Sequence, residues 1–157
     1  MVNFKPIDVE LMIKLHVLGA TQTIQGVNSI FKQQKHGVFI QMASGLGMLS
    51  CPKESIYSAT KAYLISLLTA VGEESRAHGA KFVAACPFWV ATQMTILRTK
   101  HLCVTPDVFV KSLMRADWSG TTCNPCVWHK VFEIVMRALG EKTRLRKQNE
   151  RMTRIKA

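Results

Sequence analysis

Long apolar runs are missing from this sequence. The uncharged stretches Val38 to Pro52 and Phe82 to Leu97 are broken by Gly, Ser or Pro and read as strand plus loop, so no spanning helix is expected. No apolar segment of the kind that precedes a cleavage site follows Met1, so no cleavable signal is expected. Charge is modest at 20% of residues against 48% hydrophobic ones, which excludes a disordered chain. Cysteine is too irregular for a disulfide framework: Cys51, Cys86, Cys103, Cys123 and Cys126 are odd in number and without regular spacing, and they fit a reducing compartment. Cys123-Asn124-Pro125-Cys126 is formally a C-x-x-C, but no second pair and no histidine pair at zinc spacing accompanies it, so no metal site is expected. Internal repeats and low-complexity segments are absent as well.

What remains is enough for one domain with a single core, at 157 residues. Acidic residues are few, 10 against 21 Lys and Arg, and the resulting net charge of +11 is unevenly placed. Residues 141–157 carry Lys142, Arg144, Arg146, Lys147, Arg151, Arg154 and Lys156 against Glu141 and Glu150, a block suited to anionic lipid head groups or nucleic acid, or else a solvated, fraying terminus. A nucleic-acid binder is disfavoured, because the charge sits in a tail and no aromatic-basic surface motif supports it. The chain thus divides into a domain at 1–140 and a basic tail at 141–157.

Within the domain, Asp8 and the approximately helical spacing of Leu11, Leu15, Leu18, Ile24, Val27 and Phe31 predict one long amphipathic helix over Ile7 to about Gln34. Val38 to Ala43 reads as a strand buried on both faces, and Ser44 to Glu54 as a loop in which Gly45-Leu46-Gly47 is an ordinary flexible turn. A helix capped by Ser55 runs to about Arg76, and Lys81 to Cys86 is a second buried strand ended by Pro87. Phe88 to Val104 is a long loop or broken helix, Pro106 to Arg115 a helix started by Thr105, Thr121 to Val127 a short strand, and Trp128 to Leu139 a helix. Helix, strand, helix, strand with short Gly-marked connections points to an α/β fold with a parallel sheet, whose ligands sit beyond the carboxyl ends of the strands. Ser44 and the Pro87 loop both fall there.

Tyr57 and Lys61, four residues apart, share one face of the second helix, and Ser44 lies thirteen residues before Tyr57 at the end of a strand. A cation beside a phenol stabilises the phenolate and lowers a pKa of about 10, so the pair can handle a proton near neutrality. Ser44, then Tyr57-Ser58-Ala59-Thr60-Lys61, then Cys86-Pro87-Phe88-Trp89-Val90-Ala91-Thr92, resembles the catalytic half of a short-chain dehydrogenase/reductase. Gly47-Met48-Leu49 before Ile56-Tyr57-Ser58-Ala59-Thr60-Lys61-Ala62, and the Pro87 to Thr92 loop, are most similar to the 17-beta-hydroxysteroid dehydrogenase and very-long-chain 3-oxoacyl-CoA reductase branch. That resemblance implies the C-terminal half of a doubly wound, Rossmann-like parallel sheet flanked by helices. It implies NADP (NADPH) as cofactor and a lipid-like carbonyl substrate, a 3-oxoacyl-CoA or a 17-ketosteroid, in fatty acid elongation or steroid metabolism. Tyr57 would be the proton donor, Ser44 would orient the carbonyl, and Lys61 would lower the Tyr57 pKa and bind the nicotinamide ribose. Pro87, Val90 and Thr92 would contact the nicotinamide end. The branch implies association with the endoplasmic reticulum membrane, against the cytoplasm for a soluble fragment.

Two departures from the resemblance stand out. The family's opening strand, T-G-x-x-x-G-x-G turn and helix are not matched, so the adenosine and pyrophosphate cradle is expected to be absent from this chain and Val38 to Ala43 to form an exposed apolar edge. At the position where the family usually carries an asparagine of the proton relay stands His16, either a relay group or a plain helix histidine. Two functions follow: the reductase itself, or a catalytically silent relative. The silent form would act through a homo- or hetero-dimer formed by residues 7–34 and 55–76. The apolar residues of 88–117 are either a substrate lid or core packing.

Overall fold

The computed structural model describes residues 6–92 and 103–156. Three parallel strands carry the fold: β1 (Gly37–Met42), β2 (Ala80–Ala85) and β5 (Thr122–Cys123), in the order β1-β2-β5. Gly37 pairs with Ala80 and Met42 with Ala85 across the first ladder, and Ala84 with Thr122 across the second. Alternate residues of β2 point to opposite faces. Phe82 and Ala84 meet Ala20, Ile24, Leu64 and Leu68 on one side, while Val83 and Ala85 meet Phe109, Leu113, Cys123 and Cys126 on the other. Both faces are therefore covered by helices, the arrangement that the apolar strands called for. The two thiols of the C-x-x-C are part of this second core, buried and free.

The long N-terminal helix is continuous but not uniform. It comprises α1 (Pro6–Ile13), a π-helical stretch over Lys14–Gly19, and α2 (Ala20–Gln34). Widening the helix by the π turn changes which positions face the sheet. Ala20 and Ile24 are buried and Val27 and Phe31 pack beside them, whereas Leu11, Leu15 and Leu18 are exposed, so the amphipathic face expected from an unbroken period holds only in the second half. Lys35 ends α2 in the left-handed conformation. Gly79, at φ 68° just before β2, lies so close that an added Cβ would sit 2.5 Å from the Lys35 carbonyl oxygen. Only glycine meets both demands there.

Between β1 and β2 the chain forms a single helical turn, α3 (Gly45–Met48), and then α4 (Ser55–Ser75). The flexible turn read at Gly45-Leu46-Gly47 is thus a helical turn, capped by Ser44, whose hydroxyl accepts from Leu46 N at 3.2 Å. Ser55 does not cap α4: Glu54 holds the N-cap position with no side-chain capping bond, and the Ser58 hydroxyl donates to the Glu54 carbonyl at 2.8 Å. After β2, Trp89–Val90 (β3) and Cys103–Val104 (β4) pair in parallel, which gives structure to both ends of the stretch read as a loop. Met94, Ile96, Leu97 and Leu102 of the expected lid lie outside the described residues. Thr105 caps α5 (Pro106–Met114) as expected. The last strand is shorter than Thr121 to Val127, because α6 (Val127–Ala138) already begins at Val127. The basic tail is a helix, α7 (Glu141–Lys156), with Gln148 buried, rather than a wholly solvated terminus.

Candidate active site

The carboxyl end of β1 delivers Ser44, and the first two turns of α4 deliver Tyr57 and Lys61 to the same place. The Ser44 side chain stands beside the Tyr57 phenol, near enough to lower its pKa. Lys61 is only 8% exposed, and its Nζ donates to the carbonyl of Met42, the last residue of β1, at 3.2 Å. The same Nζ lies 5.6 Å from the centre of the Tyr57 ring. Strand end, one helical turn and following helix are locked together: Gly47 approaches α4 so closely that a Cβ would stand 2.6 Å from the Lys61 carbonyl carbon. Gly45 N donates to the Pro87 carbonyl at 2.8 Å, which ties the serine turn to the loop after β2.

Burial dominates the electrostatics. It raises the Tyr57 phenol above its usual range, with the Ser44 side chain pulling down and the Glu54 charge pushing up. The net direction is opposite to the lowering expected from Lys61, whose ammonium is engaged by the Met42 carbonyl. Burial lowers the Lys61 ammonium as well. The His16 imidazole is lowered by burial and then by the Lys61 charge.

His16 reaches this cluster from the π-helical stretch. Its ring meets Tyr57 edge-on at 5.9 Å, and Nδ1 lies 3.1 Å from Thr60 Oγ1. Thr60 Oγ1 donates its one hydrogen to the Tyr57 carbonyl at 2.9 Å, so it accepts from His16 Nδ1–H, which leaves Nε2 of the neutral ring as an acceptor. Thr60 is buried and was passed over in the sequence, although its place three residues after Tyr57 on one helix was a usable signal. Pro87 is buried, Val90 lies in β3 and Thr92 is exposed, all beyond the carboxyl end of β2. Phe88, expected in a substrate lid or in core packing, packs against the serine turn. Its ring stands where a Cβ on Gly45 would be, and its N–H donates to the fully buried His129 at 3.4 Å. Among the described residues no group of three or more His, Cys, Asp or Glu is placed to hold a metal ion.

A parallel sheet covered by helices on both faces, with serine, tyrosine and lysine converging past its carboxyl edge, defines a class of nucleotide-cofactor oxidoreductase folds. A family profile described as short chain dehydrogenase matches residues 1–102, and the chain belongs to that family of oxidoreductases. It is 27% identical over 126 residues to 17-beta-hydroxysteroid dehydrogenase type 3 of Rattus norvegicus, covering 80% of this chain and 41% of the relative. It is 31% identical over 108 residues to very-long-chain 3-oxoacyl-CoA reductase of Homo sapiens, covering 68% and 35%. The chain thus spans less than half the length of these relatives. Among solved structures, one of a 7beta-hydroxysteroid dehydrogenase superposes with a TM-score of 0.76 at 18% identity, over 87% of this chain and 56% of that one. A short chain dehydrogenase from Burkholderia cenocepacia J2315 in complex with NADP gives 0.73 at 15%, over 88% and 60%. At such identities these two speak for the fold.

Proposed function

We propose that this chain carries the proton-donating half of an NADP-dependent carbonyl reductase acting on a lipid substrate, a 3-oxoacyl-CoA or a 17-ketosteroid. The observation that carries the reading is the convergence of Ser44, Tyr57 and Lys61 on the carboxyl end of β1. The donor set suits the nicotinamide end of the cofactor: a buried ammonium, a phenol and the Ser44 hydroxyl stand together, and Gly45 N next to Ser44 donates to the Pro87 carbonyl. Pro87, Val90 and Thr92 would contact the nicotinamide. When bound, NADPH supplies the hydride. Ser44 Oγ holds the carbonyl oxygen, and Tyr57 Oη gives it a proton. That phenol is protonated at neutral pH, the state a donor needs, and burial shifts it further in the same direction. Lys61 holds positive charge beside the phenolate left behind, and His16 with Thr60 lies next in line for proton return. The same reading places the protein at the endoplasmic reticulum membrane, a site suited to this substrate class.

The test is NADPH oxidation by the purified chain with a 3-oxoacyl-CoA or a 17-ketosteroid. Tyr57→Phe should lower turnover by about 10²- to 10⁴-fold, the usual worth of a positioned general acid. Turnover unchanged by that substitution, or no binding of NADPH by the chain, sinks the reading.

A second reading is favoured by the exposure of Leu11, Leu15 and Leu18 along the N-terminal helix and of Tyr63 on α4. These lie within 7–34 and 55–76, the segments through which the chain would pair with itself or with a full-length relative. Co-sedimentation with such a relative, lost on Leu15→Glu with Leu18→Glu, supports pairing; a monomer in every mixture refutes it.

A further inference from the structure

Helix α6 is amphipathic in an unusual sense, since its apolar residues lie on both sides. Its inner face is accounted for: His129 and Met136 are buried, and Phe132 packs edge-on against Phe88 and Trp89 at 4.9 and 5.2 Å. Its outer face carries Val127, Trp128, Val131, Ile134 and Val135, all exposed, with Val127 at 74% and Trp128 at 63%. At ~100° per residue these five fall within an arc of roughly 120°, a continuous stripe where a solvated helix would show polar side chains. Lys130 and Arg137, both exposed, fall along one border of that arc. After Leu139 and Gly140 the chain enters α7, where seven Lys and Arg stand against two Glu; Lys142, Arg146 and Lys147 are exposed.

We propose that α6 and α7 dock this protein on an anionic lipid bilayer surface, the stripe of α6 entering the head-group boundary and the cations of α7 lying against lipid phosphates and carboxylates. Charge decides between the possible occupants. A second copy would bring the same cations into contact with each other, and a nucleic acid would offer phosphates but no apolar phase for the stripe. An anionic bilayer offers both. Trp128 suits the boundary, since its indole has an apolar body and one N–H donor. At 12 residues α6 is about 18 Å long, too short to cross and long enough to lie flat. Because the inner face of the same helix holds Phe88 and Trp89, the docked surface is about one helix diameter, ~10 Å, from the loop that borders the Ser44–Tyr57 site.

Co-sedimentation with vesicles of phosphatidylcholine containing phosphatidylserine, against vesicles of phosphatidylcholine alone, tests the proposal. Binding should be at least ~10-fold tighter to the anionic vesicles and weaken with added salt. Val131→Asp with Ile134→Asp, and separately Lys142→Glu with Lys147→Glu, should each weaken it ~10-fold or more while far-UV circular dichroism stays unchanged. Independently of those variants, brominated acyl chains should quench the native fluorescence, and Trp128→Phe should remove that quenching although Trp89 and Trp118 remain. Equal affinity for both vesicles, or none for either, overturns the proposal. So does a concentration-dependent dimer dispersed by Val131→Asp in a protein that ignores vesicles, or retention on single-stranded RNA in their place.

Discussion

Lys61 pulls its neighbours into line at the level of single residues. A buried ammonium must find an acceptor, and the Met42 carbonyl at 3.2 Å provides one while holding the charge near His16 and Tyr57. That charge and burial both disfavour a second proton on His16, whose folded-state pKa lies below the ordinary 6.5. The sign follows directly: as pH falls below 6.5 the unfolded chain takes up this proton before the folded one, so stability declines until the folded value is passed. Above 6.5 the two states bind the same number of protons there and the term vanishes. His16→Asn removes the titration and keeps a hydrogen-bonding side chain. Urea midpoints of the two proteins should run parallel above the ordinary histidine value and diverge on acidification, with the native protein losing more. A difference independent of pH would show that His16 is not held neutral. The sequence identified Ser44, Tyr57, Lys61 and His16 from spacing and resemblance, but not the electrostatic balance among them, since depth of burial is a tertiary property.

Among the elements, α3 shows where sequence reading succeeded and where it stopped. The buried strand β2, the long α4 and the Thr105-capped α5 were legible because period, run length and capping residues all agreed, whereas β1 forms as a strand but has none of its six residues fully buried, since no strand covers its outer side among the described residues. The π-helical stretch was not, because Leu11, Leu15 and Leu18 satisfy a helical period that the widened turn then rotates away from the sheet. Gly45-Leu46-Gly47 was misread for a related reason: glycine marks flexibility in a sequence, whereas here it marks close approach. Alanine at Gly47 would place its Cβ 2.6 Å from the backbone of Lys61, with no flexible side chain to yield. Helix α3 must then move off α4, taking Ser44 with it. Gly47→Ala should destabilise by about 1–3 kcal/mol, as overpacking does. It should lower turnover more than a surface substitution of equal stability. Thermal unfolding measured beside the reductase assay checks both, and an alanine variant with native stability would contradict the contact.

At the scale of the whole molecule, the sheet's two borders are unlike. The β5 border pairs over only two residues and has α5 and the cysteine core beside it, while β1 pairs along its full length with β2 and has no strand on its other side among the described residues. Val38 and Met42, two of its six residues, are both more than two-fifths exposed. A long apolar strand in that position offers a row of backbone donors and acceptors to any extended segment, including β1 of a second molecule. The tendency is intrinsic to the edge and does not depend on chemistry at Tyr57. Charge placed on the strand's exposed side opposes it, because lysine on one edge repels lysine on the next while the bonds to β2 are untouched. Val38→Lys should therefore raise the concentration at which the protein begins to scatter light, with a change in folding free energy within about 1 kcal/mol. Light scattering against concentration, paired with urea unfolding, separates the two effects. Onset of scattering at the same concentration in both proteins would mean that association runs through another surface, and the exposed leucines of α1 and the π-helical stretch would then be the next substitutions to make.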